Sequence, residues 1–385
     1  MSEISQPALP PFGGIEIGRR EVAHRLISAR LREQIIQGEI APGTELPPTA
    51  ALAEQWKTSY FTAHTALKNL VKEGLLERKH GAGTYVREQR NSLDCIGLYY
   101  DDTTVWTDDE KGFYRNIYGC LESELRKQHV SLRVFADPRA KSKQLTVLPE
   151  LRKALDAREI QGLIAPIAGA DNLKWLLKLP TPLAVISSRM GIANKVGFNE
   201  PHNMLRMLKH LKAQGCRTVG VISNLYVKEG SQFQSERQLF DGQFAEALAE
   251  TGMSTRPSWV RKSKKAENDG LARFGYHEFH ELWRQPERPD AVIAFPDTVV
   301  RGVILAALEA GVRAPRDVKF FFHRNAHVNL LCPFPAGWEI TDEVKVAKSL
   351  ITMVRDQHQG KKVQPVYIVN EFEEHPGESS APSGK

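Results

Sequence analysis

The sequence predicts two unlike parts, a small and mainly helical module with a β-hairpin, followed by a larger α/β part built as two lobes. Residues 49–86 contain two helical patterns, a tight turn and two short strands around glycines. From Cys95 onward, short apolar runs alternate with amphipathic helical stretches. A chain of 385 residues, 41% of them hydrophobic, is long enough for more than one globular core.

Residues 49–71 have the pattern of two helices that pack on each other. The apolar positions of the first helix are Ala50, Leu52, Ala53 and Trp56. The second helix begins after a break at Lys57, where Ser59 offers a hydroxyl as an N-cap. Its apolar positions at helical spacing are Ala63, Ala66, Leu67, Leu70 and Val71. If these face the first helix, the outward side chains are those of Tyr60, Phe61, His64 and Lys68. In a helix-turn-helix, such a face enters the major groove of DNA.

A basic hairpin follows the second helix. Gly74 suits a helix C-cap, and residues 75–78 and 84–86 flank the Gly-rich turn 79–83. A basic tip of this kind suits a phosphate backbone or a minor groove, although short solvated turns have the same composition. Because the hairpin follows two helices in this order, we interpret it as a DNA-binding hairpin rather than an ordinary solvated turn.

Upstream of these helices, Ile27, Leu31 and Ile35 share one face of a further helix, and Gly38, Pro42-Gly43 and Leu46-Pro47 follow. Together with the helix-turn-helix and the GAGTYV hairpin, residues 20–87 resemble the GntR family of bacterial transcription regulators. The resemblance implies a winged helix-turn-helix that binds double-stranded operator DNA. We expect a homodimer on a near-palindromic site, because one module offers few base contacts.

The predicted DNA-contact residues lie at the helix starts and in the hairpin. They are Thr49, Thr58, Ser59, Tyr60, Thr62, His64, Lys68, Arg78, Lys79, His80, Gly81 and Gly83. Thr58, Ser59 and Thr62 also suit a purely local capping role, and His64 also suits a solvated surface. The family usually carries arginines where this chain has Ala50, Tyr60 and His64, so readout of guanine from these helices should be weaker.

Composition and charge restrict the class of protein. A net charge of +6 fits a nucleic-acid partner. The four cysteines are scattered without CxxC spacing, as in reduced cytoplasmic proteins. No apolar run reaches the length of a membrane span, and the first residues lack the design of a signal peptide. We expect disordered ends at 1–19 and 373–385, a linker at 88–93, and an effector-binding and dimerisation domain at 94–372.

The strand and helix alternation between residues 94 and 372 is typical of parallel sheets covered on both faces. A first set includes the strands CIGLYY, GLIAPI and PLAVIS. The pattern restarts after residue 196, continues through GVIS, DAVIAF and VKFFFH, and closes with the helix EVKVAKSLITMVRDQH. Two successive sets predict two lobes around a cleft, since ligands of open parallel sheets bind beyond the carboxyl ends of the strands.

The runs LKHLKAQGCRTVGVIS and RPDAVIAFPDTVVRGVILAALEAGVRAPRDVKFFF resemble the effector domain of LacI/GalR-type repressors, relatives of periplasmic sugar-binding proteins. The resemblance implies a sugar or sugar-like effector in the cleft. The expected effector-binding residues follow strand ends: Tyr100, Asp101, Ser187, Asn224, Asp297 and Arg324. Arg324 stands where the family usually has an acid, so we expect an acidic or phosphorylated ligand ahead of a neutral one.

Patterns of catalysis and metal binding are missing from the sequence. His277 and His280 lack HExxH spacing, Gly360-Lys361-Lys362 is no Walker A loop, and no GxSxG is found. We expect no cofactor, no metal and no enzyme activity. The prediction is a cytoplasmic transcription regulator, a repressor controlled by a sugar-like effector. The alternative is a DNA-binding regulator whose sensor is degenerate and serves only dimerisation, an idea that Pro296 and Arg324 motivate.

Overall fold

The computed structural model describes residues 20–36, 38–79, 83–87, 92–108, 111–167, 169–187, 189, 191–198, 200–224, 234–262 and 270–375. The predicted contact residues His80 and Gly81, and the predicted disordered segment 1–19, lie outside this range. The chain divides into two compact units, Met1–Leu93 with Pro149–Ile160, and Asp94–Leu148 with Gln161–Lys385.

The first unit contains three helices and a small antiparallel sheet. The helices are α1 (Arg20–Ile36), α2 (Thr49–Gln55) and α3 (Tyr60–Lys72), and the strands are β1 (Glu45–Leu46), β2 (Leu76–Lys79) and β3 (Gly83–Val86). The sheet order is β1-β3-β2, and β1 is a strand that the sequence pattern did not predict. The predicted winged helix-turn-helix is confirmed.

One apolar core holds this unit together. It joins Ile27, Leu31 and Ile35 of α1 to the predicted inward faces of the two following helices. Ala50 is the exception, because it is exposed while Leu52, Ala53 and Trp56 form the buried stripe. Leu52 and Ala53 each lie about one turn before Trp56, the C-cap residue of α2, and position 50 lies outside the stripe that these three form.

The second unit is built on two six-stranded sheets. The first sheet is wholly parallel and has the order β14-β8-β7-β6-β4-β5. Its strands are β4 (Cys95–Tyr100), β5 (Ser131–Ala136), β6 (Gly162–Ile167), β7 (Leu183–Ile186), β8 (Lys195–Phe198) and β14 (Val366–Ile368). We call this sheet and its helices lobe 1.

The second sheet has the order β10-β9-β11-β12-β13-β15 and is parallel except for β15. Its strands are β9 (Val219–Ser223), β10 (Val260–Lys262), β11 (Ala291–Phe295), β12 (Lys319–Asn325), β13 (Ala336–Thr341) and β15 (Glu371–His375). We call this sheet and its helices lobe 2. The predicted pair of α/β lobes is confirmed.

Further α-helices follow β3 along the described part of the chain. They are α4 (Gly112–Arg126), α5 (Pro149–Asp156), α6 (Ala170–Leu176), α7 (Glu200–Ala213), α8 (Gln234–Thr251), α9 (Leu271–Trp283), α10 (Asp297–Glu309) and α11 (Glu343–His358). Helix α5 groups with the first compact unit, although its position in the sequence predicted the effector domain.

The division of elements between the lobes differs from the prediction. The strand β8 pairs with β7, and α11 packs on β6, β7 and α4, so both belong to lobe 1 although they follow the predicted restart at residue 196. The chain therefore crosses between the sheets after β8, after β13 and after β14. Strand β15 also includes residues 373–375, which the sequence assigned to the tail, because the ladder with β13 continues to His375.

Two further properties concern the surface and the cysteines. Among the described helices, none has both the length and the apolar character needed to cross a membrane. Cys120, Cys216 and Cys332 are buried, and Cys95 is partly buried.

Candidate functional sites

The start of α3 is fixed by hydroxyl groups. Ser59 is the N-cap, and its Oγ accepts a hydrogen bond from the Thr62 backbone N–H at 3.2 Å. The two hydroxyls, Ser59 Oγ and Thr62 Oγ1, lie 2.8 Å apart and bond to each other. Thr62, one of the predicted contact residues, is buried. Its side chain bonds within the first turn of the helix and does not face solvent. Thr58 and Thr49 are half-buried, and Thr49 is the first residue of α2.

The outward face of α3 carries a row of side chains spaced by four residues. Tyr60 is 59% exposed, and its ring stacks on His64 with 6.0 Å between centroids. Lys68 continues the row one turn further and is exposed. Phe61, beside Tyr60, is 78% exposed. The sequence placed Phe61 outward but not among the contact residues, and its exposure now adds it to this surface.

The hairpin brings two basic side chains to opposite faces. Arg78 extends to α3, where its Nη2 lies 3.3 Å from His64 Nδ1. The Lys79 Nζ pairs with Glu77 Oε1 at 3.0 Å and lies 4.9 Å from the centre of the Tyr85 ring. Gly83 has a φ of +117°, and a Cβ there would lie 2.6 Å from Glu45 Oε1. The positive φ of Gly83 explains the glycine, because the Glu45 side chain could move away from an added Cβ.

A cavity of about 390 Å³ lies in the second unit and is lined by both lobes. Its apolar part consists of Phe113, Tyr114, Phe198, Met204, Met207, Leu271, Phe295 and Pro296. Its polar part consists of Asn203, Asn224, Asp297, Thr298, His323, Asn325, Glu339, Thr341 and Asn370. This size and this mixture of apolar walls with a few polar groups are typical of small-molecule sites.

Strand register produces one polar wall of the cavity. In the parallel pair β12 and β13, His323 lies beside Glu339, and Asn325 lies beside Thr341. Alternate residues of a strand point to the same face, so these four side chains line the cavity together. The ring of His323 contacts Thr341, with 3.0 Å between Nε2 and Oγ1.

Two carboxylates in this wall are nearly enclosed. Asp297 and Glu339 are each 7% exposed. Asn325 Nδ2 donates to Asp297 Oδ2 at 3.1 Å, and Asn370 Nδ2 donates to Glu339 Oε1 at 3.0 Å. Among the described residues, neither carboxylate forms an ion pair. The neutral amides thus orient both carboxylates without neutralising their charge.

Several buried polar atoms of the lining have no partner within the described part of the chain. They are Asn203 Oδ1, Thr298 Oγ1, His323 Nδ1 and Asn370 Oδ1. Buried polar atoms are nearly always hydrogen-bonded, because an unmade bond in a low-dielectric environment costs about 1–3 kcal/mol. The lining therefore offers several acceptor positions to a molecule in the cavity.

Of the predicted effector-binding residues, Asn224 and Asp297 line the cavity. Tyr100 does not, since its buried hydroxyl donates to the Tyr114 carbonyl at 3.0 Å and burial raises the pKa of its phenol. Asp101 accepts from the Gly169 N–H at 3.0 Å and pairs with Lys141 at 3.1 Å. Ser187 Oγ accepts from the Arg189 N–H at 3.2 Å. Tyr100 therefore bonds to α4, and Asp101 and Ser187 bond to loop residues, so none of the three is among the residues that line the cavity.

Arg324 also lies outside the cavity. Its neighbours His323 and Asn325 point into the cavity, so the alternation of β12 turns Arg324 to the opposite face. There its Nη2 lies 3.1 Å from Glu373 Oε2, and it lines a separate depression of about 260 Å³ with His327 and Glu373. The expected contact between Arg324 and an anionic ligand in the cleft is not supported by this placement.

The described residues offer no arrangement for a metal. No group of three or more histidine, cysteine, aspartate or glutamate side chains is close enough to hold an ion within that part of the chain. His280, one of the two histidines considered above, lies 3.4 Å from Glu309 through its Nε2.

Two family descriptions match the sequence. Residues 24–86 match bacterial regulatory proteins of the gntR family, and residues 208–380 match the periplasmic binding protein-like domain. The first range covers α1 to β3, and the second covers most of lobe 2 together with α11 and β14.

Curated relatives match different parts of the chain. The mannosyl-D-glycerate transport/metabolism system repressor MngR of Escherichia coli (strain K12) is 43% identical over 75 residues, 20% of this chain and 31% of MngR. The match thus spans about a third of that relative. The HTH-type transcriptional repressor PurR of Pasteurella multocida (strain Pm70) is 23% identical over 280 residues, 71% of this chain and 77% of PurR.

Solved structures share the fold of the larger unit. The lac repressor dimer bound to operator and the anti-inducer ONPF superimposes with a TM-score of 0.58 at 15% sequence identity, covering 75% of this chain and 95% of that one. A LacI-type transcriptional regulator structure from Bacillus cereus subsp. cytotoxis also gives a TM-score of 0.58, at 14% identity, with 76% and 100% coverage. At these identities the likeness concerns the fold.

Proposed function

Since this chain joins a GntR-family helix-turn-helix domain to a periplasmic-binding-protein-like domain, we propose that it is a transcriptional repressor controlled by a small effector. The observation that carries the proposal is the combination of a DNA-binding domain and a ligand-binding domain in one chain. MngR matches a fifth of the chain and PurR matches most of it. Both are named as repressors, and neither name describes an enzyme. A protein that acts on operator DNA works where the DNA is, so a cytoplasmic location is part of the proposal.

The DNA-binding part of the proposal rests on the outward face of α3. Tyr60, His64 and Lys68 form one row, Phe61 lies beside it, and Arg78 adjoins it from the hairpin. A short row of this kind reads only a few base pairs, so we propose that two chains bind a near-palindromic operator as a dimer. The operator dimer of the lac repressor is a precedent among proteins with the fold of the larger unit.

The test is a titration of operator DNA, selected from random duplexes, with the full-length protein and with residues 20–87 over a series of salt concentrations. Contacts between basic side chains and phosphates release counterions, so log K should fall linearly with log salt concentration. We also expect tighter binding by the full-length dimer than by the isolated domain. Equal affinities, or affinities that do not depend on salt, would contradict the proposal.

The effector part rests on the cavity. The Asp297 and Glu339 carboxylates and the unpartnered amide oxygens accept hydrogen bonds, and hydroxyl groups donate them. Aromatic and methionine side chains supply the apolar walls that suit the faces of a sugar ring. We therefore propose a sugar-like effector with several hydroxyls. The argument for an acidic or phosphorylated sugar depended on Arg324, which lies on the other face of β12. We therefore propose a neutral sugar rather than an anionic one.

A further inference from the structure

We propose that Arg78, on the first strand of the hairpin, reads a base of the operator and replaces the arginines that α3 lacks. The inference rests on the proposed DNA-binding function and adds a specificity-determining residue to it. Helix α3 carries Tyr60 and His64 where arginine is usual in the family. The structure brings the guanidinium of Arg78 to that same part of the helix, 3.3 Å from His64 Nδ1.

The alternation of β2 explains why Arg78 reaches α3 and Lys79 does not. Leu76 is buried in the core of the first unit together with Leu67 and Leu70 of α3. Arg78 follows two residues later, so its side chain leaves the strand on the same face but beyond the edge of the core. Lys79 leaves on the opposite face, where Glu77 and the Tyr85 ring hold its ammonium.

The contact with His64 orients the guanidinium and leaves most of its donors available. An arginine has five N–H donors in a planar fork, and a neutral imidazole nitrogen accepts one of them. His64 is in turn stacked on Tyr60. Within the described residues, His64 is the one side chain bonded to Arg78. The remaining edge of the fork matches O6 and N7 of guanine, the commonest specific contact in the major groove.

Arg78 and Lys79 therefore have different expected roles although they are neighbours of equal charge. A base contact carries sequence information, whereas a phosphate contact strengthens binding to every sequence. The sequence predicted contacts of the basic hairpin with the phosphate backbone or the minor groove, without a distinction between these two residues. The structure separates them, because Arg78 adjoins the outward row of α3 and Lys79 lies on the other face of the strand.

The experiment uses the full-length protein and operators selected from randomised duplexes. Affinities for the selected site and for single-base variants are measured for wild type, Arg78→Ala, Arg78→Lys, His64→Ala and Lys79→Ala. In Arg78→Ala we expect preference at one guanine of each half-site to fall by about 5- to 150-fold, the range for one bidentate pair. Arg78→Lys should not restore it, because an ammonium lacks the fork. His64→Ala should weaken the preference at the same position.

Lys79→Ala is the matched control and should weaken all duplexes by a similar factor, with a smaller salt slope. The side chains of Arg78 and Lys79 are exposed, so thermal melting should show that both variants are folded. The proposal is overturned if Arg78→Ala weakens all sequences uniformly, as Lys79→Ala does, or if Arg78→Lys keeps the wild-type preference. Wild-type protein that binds no duplex selectively would instead contradict the proposed function as a whole.

Discussion

At the scale of single residues, a side chain's local bonds decide whether it is available for a ligand. Thr62 belongs to the predicted contact set, yet its hydroxyl bonds to Ser59 and it is buried. Residue type and position on a helix predicted that Tyr60 and Lys68 face outward, and both are exposed. The sequence could not show which hydroxyls the helix cap uses, because capping depends on the backbone conformation of the preceding turn.

Replacement of the cap tests this point. Ser59→Ala should lower the free energy of unfolding of the first unit by about 1 kcal/mol, because the Thr62 N–H loses its acceptor. Ser59→Asn should keep most of the stability, since its side-chain oxygen can cap the helix without adding charge. Urea unfolding of residues 20–87, followed by circular dichroism, measures both variants. Equal stability of Ser59→Ala and wild type would show that the observed cap contributes little.

Strand alternation produced the clearest residue-scale error. Arg324 was predicted in the cleft, and its two neighbours His323 and Asn325 are found there. A one-residue shift along a strand exchanges its two faces, and a strand such as VKFFFHRN has no polar and apolar alternation from which the faces can be assigned. Asp297 is different, because it begins α10 directly after a buried strand and therefore points beyond the sheet edge.

At the scale of elements, two glycines allow α9 and α10 to pack closely. A Cβ on Gly302 would lie 1.8 Å from the Ala272 carbonyl oxygen, and one on Gly275 would lie 2.1 Å from the Val299 carbonyl oxygen. These are backbone atoms, so only glycine fits at either position. The first turns of these helices carry Leu271 and Thr298, which line the cavity. The close contact thus sets the width of one side of the cavity.

A matched pair of helix glycines tests this contact. Gly302→Ala should destabilise the protein by about 1–3 kcal/mol, because the added methyl forces the helices apart. Gly119→Ala in α4 meets no neighbour within 4 Å and should stabilise by about 0.5–1 kcal/mol through helix propensity. Denaturant unfolding of the full chain measures both changes. If Gly302→Ala raised the free energy of unfolding as Gly119→Ala does, helix propensity rather than close packing would dominate at position 302.

The existence of most elements followed from the sequence, but their assignment to lobes did not. Alternation of apolar runs and helical stretches predicted β4, β6 and β7 of lobe 1, β9, β11 and β12 of lobe 2, and the helix α11. The strand β13, with the sequence AGWEIT, lacks a clear alternating pattern and was missed, and with it Glu339 and Thr341 of the cavity wall. The hydrophobic periodicity of a segment shows which of its faces is buried. It does not show which sheet α11 packs on, because that depends on contacts between residues far apart in the chain.

At the scale of the whole molecule, a ligand in the cavity contacts both lobes and can change their relative position. Phe113 and Phe198 come from lobe 1, and Asp297 and Asn325 come from lobe 2. Tighter binding of the effector to one arrangement shifts the population towards it. Linkage then requires that effector and operator change each other's affinity by the same factor.

The prediction is a change of about 5- to 150-fold in operator affinity with a bound sugar, equivalent to a coupling of about 1–3 kcal/mol. A thermal-shift screen of neutral, acidic and phosphorylated sugars identifies the ligand, and operator titrations with and without it measure the coupling. Asp297→Asn should lose the response, and Arg324→Ala should keep it, because only Asp297 lines the cavity.

The opposite pattern would place the effector at the depression beside Arg324. If no sugar stabilises the wild type and none alters operator binding, the alternative with a degenerate, purely dimerising sensor is supported instead. Wild-type melting with and without operator DNA provides the control, since bound DNA should itself raise the melting temperature.

The crossing of the chain between the lobes also sets the order in which the protein can fold on the ribosome. Strand β8 remains an unpaired edge until β14 has been made, and β6 and β7 lack the cover of α11 until residue 358 has emerged. The apolar core built from α1, α2, α3 and the hairpin is complete once residue 86 has emerged. Domains form in the order of synthesis when their contacts are local. A newly made chain can therefore complete the winged helix-turn-helix core long before it completes the cavity between the lobes.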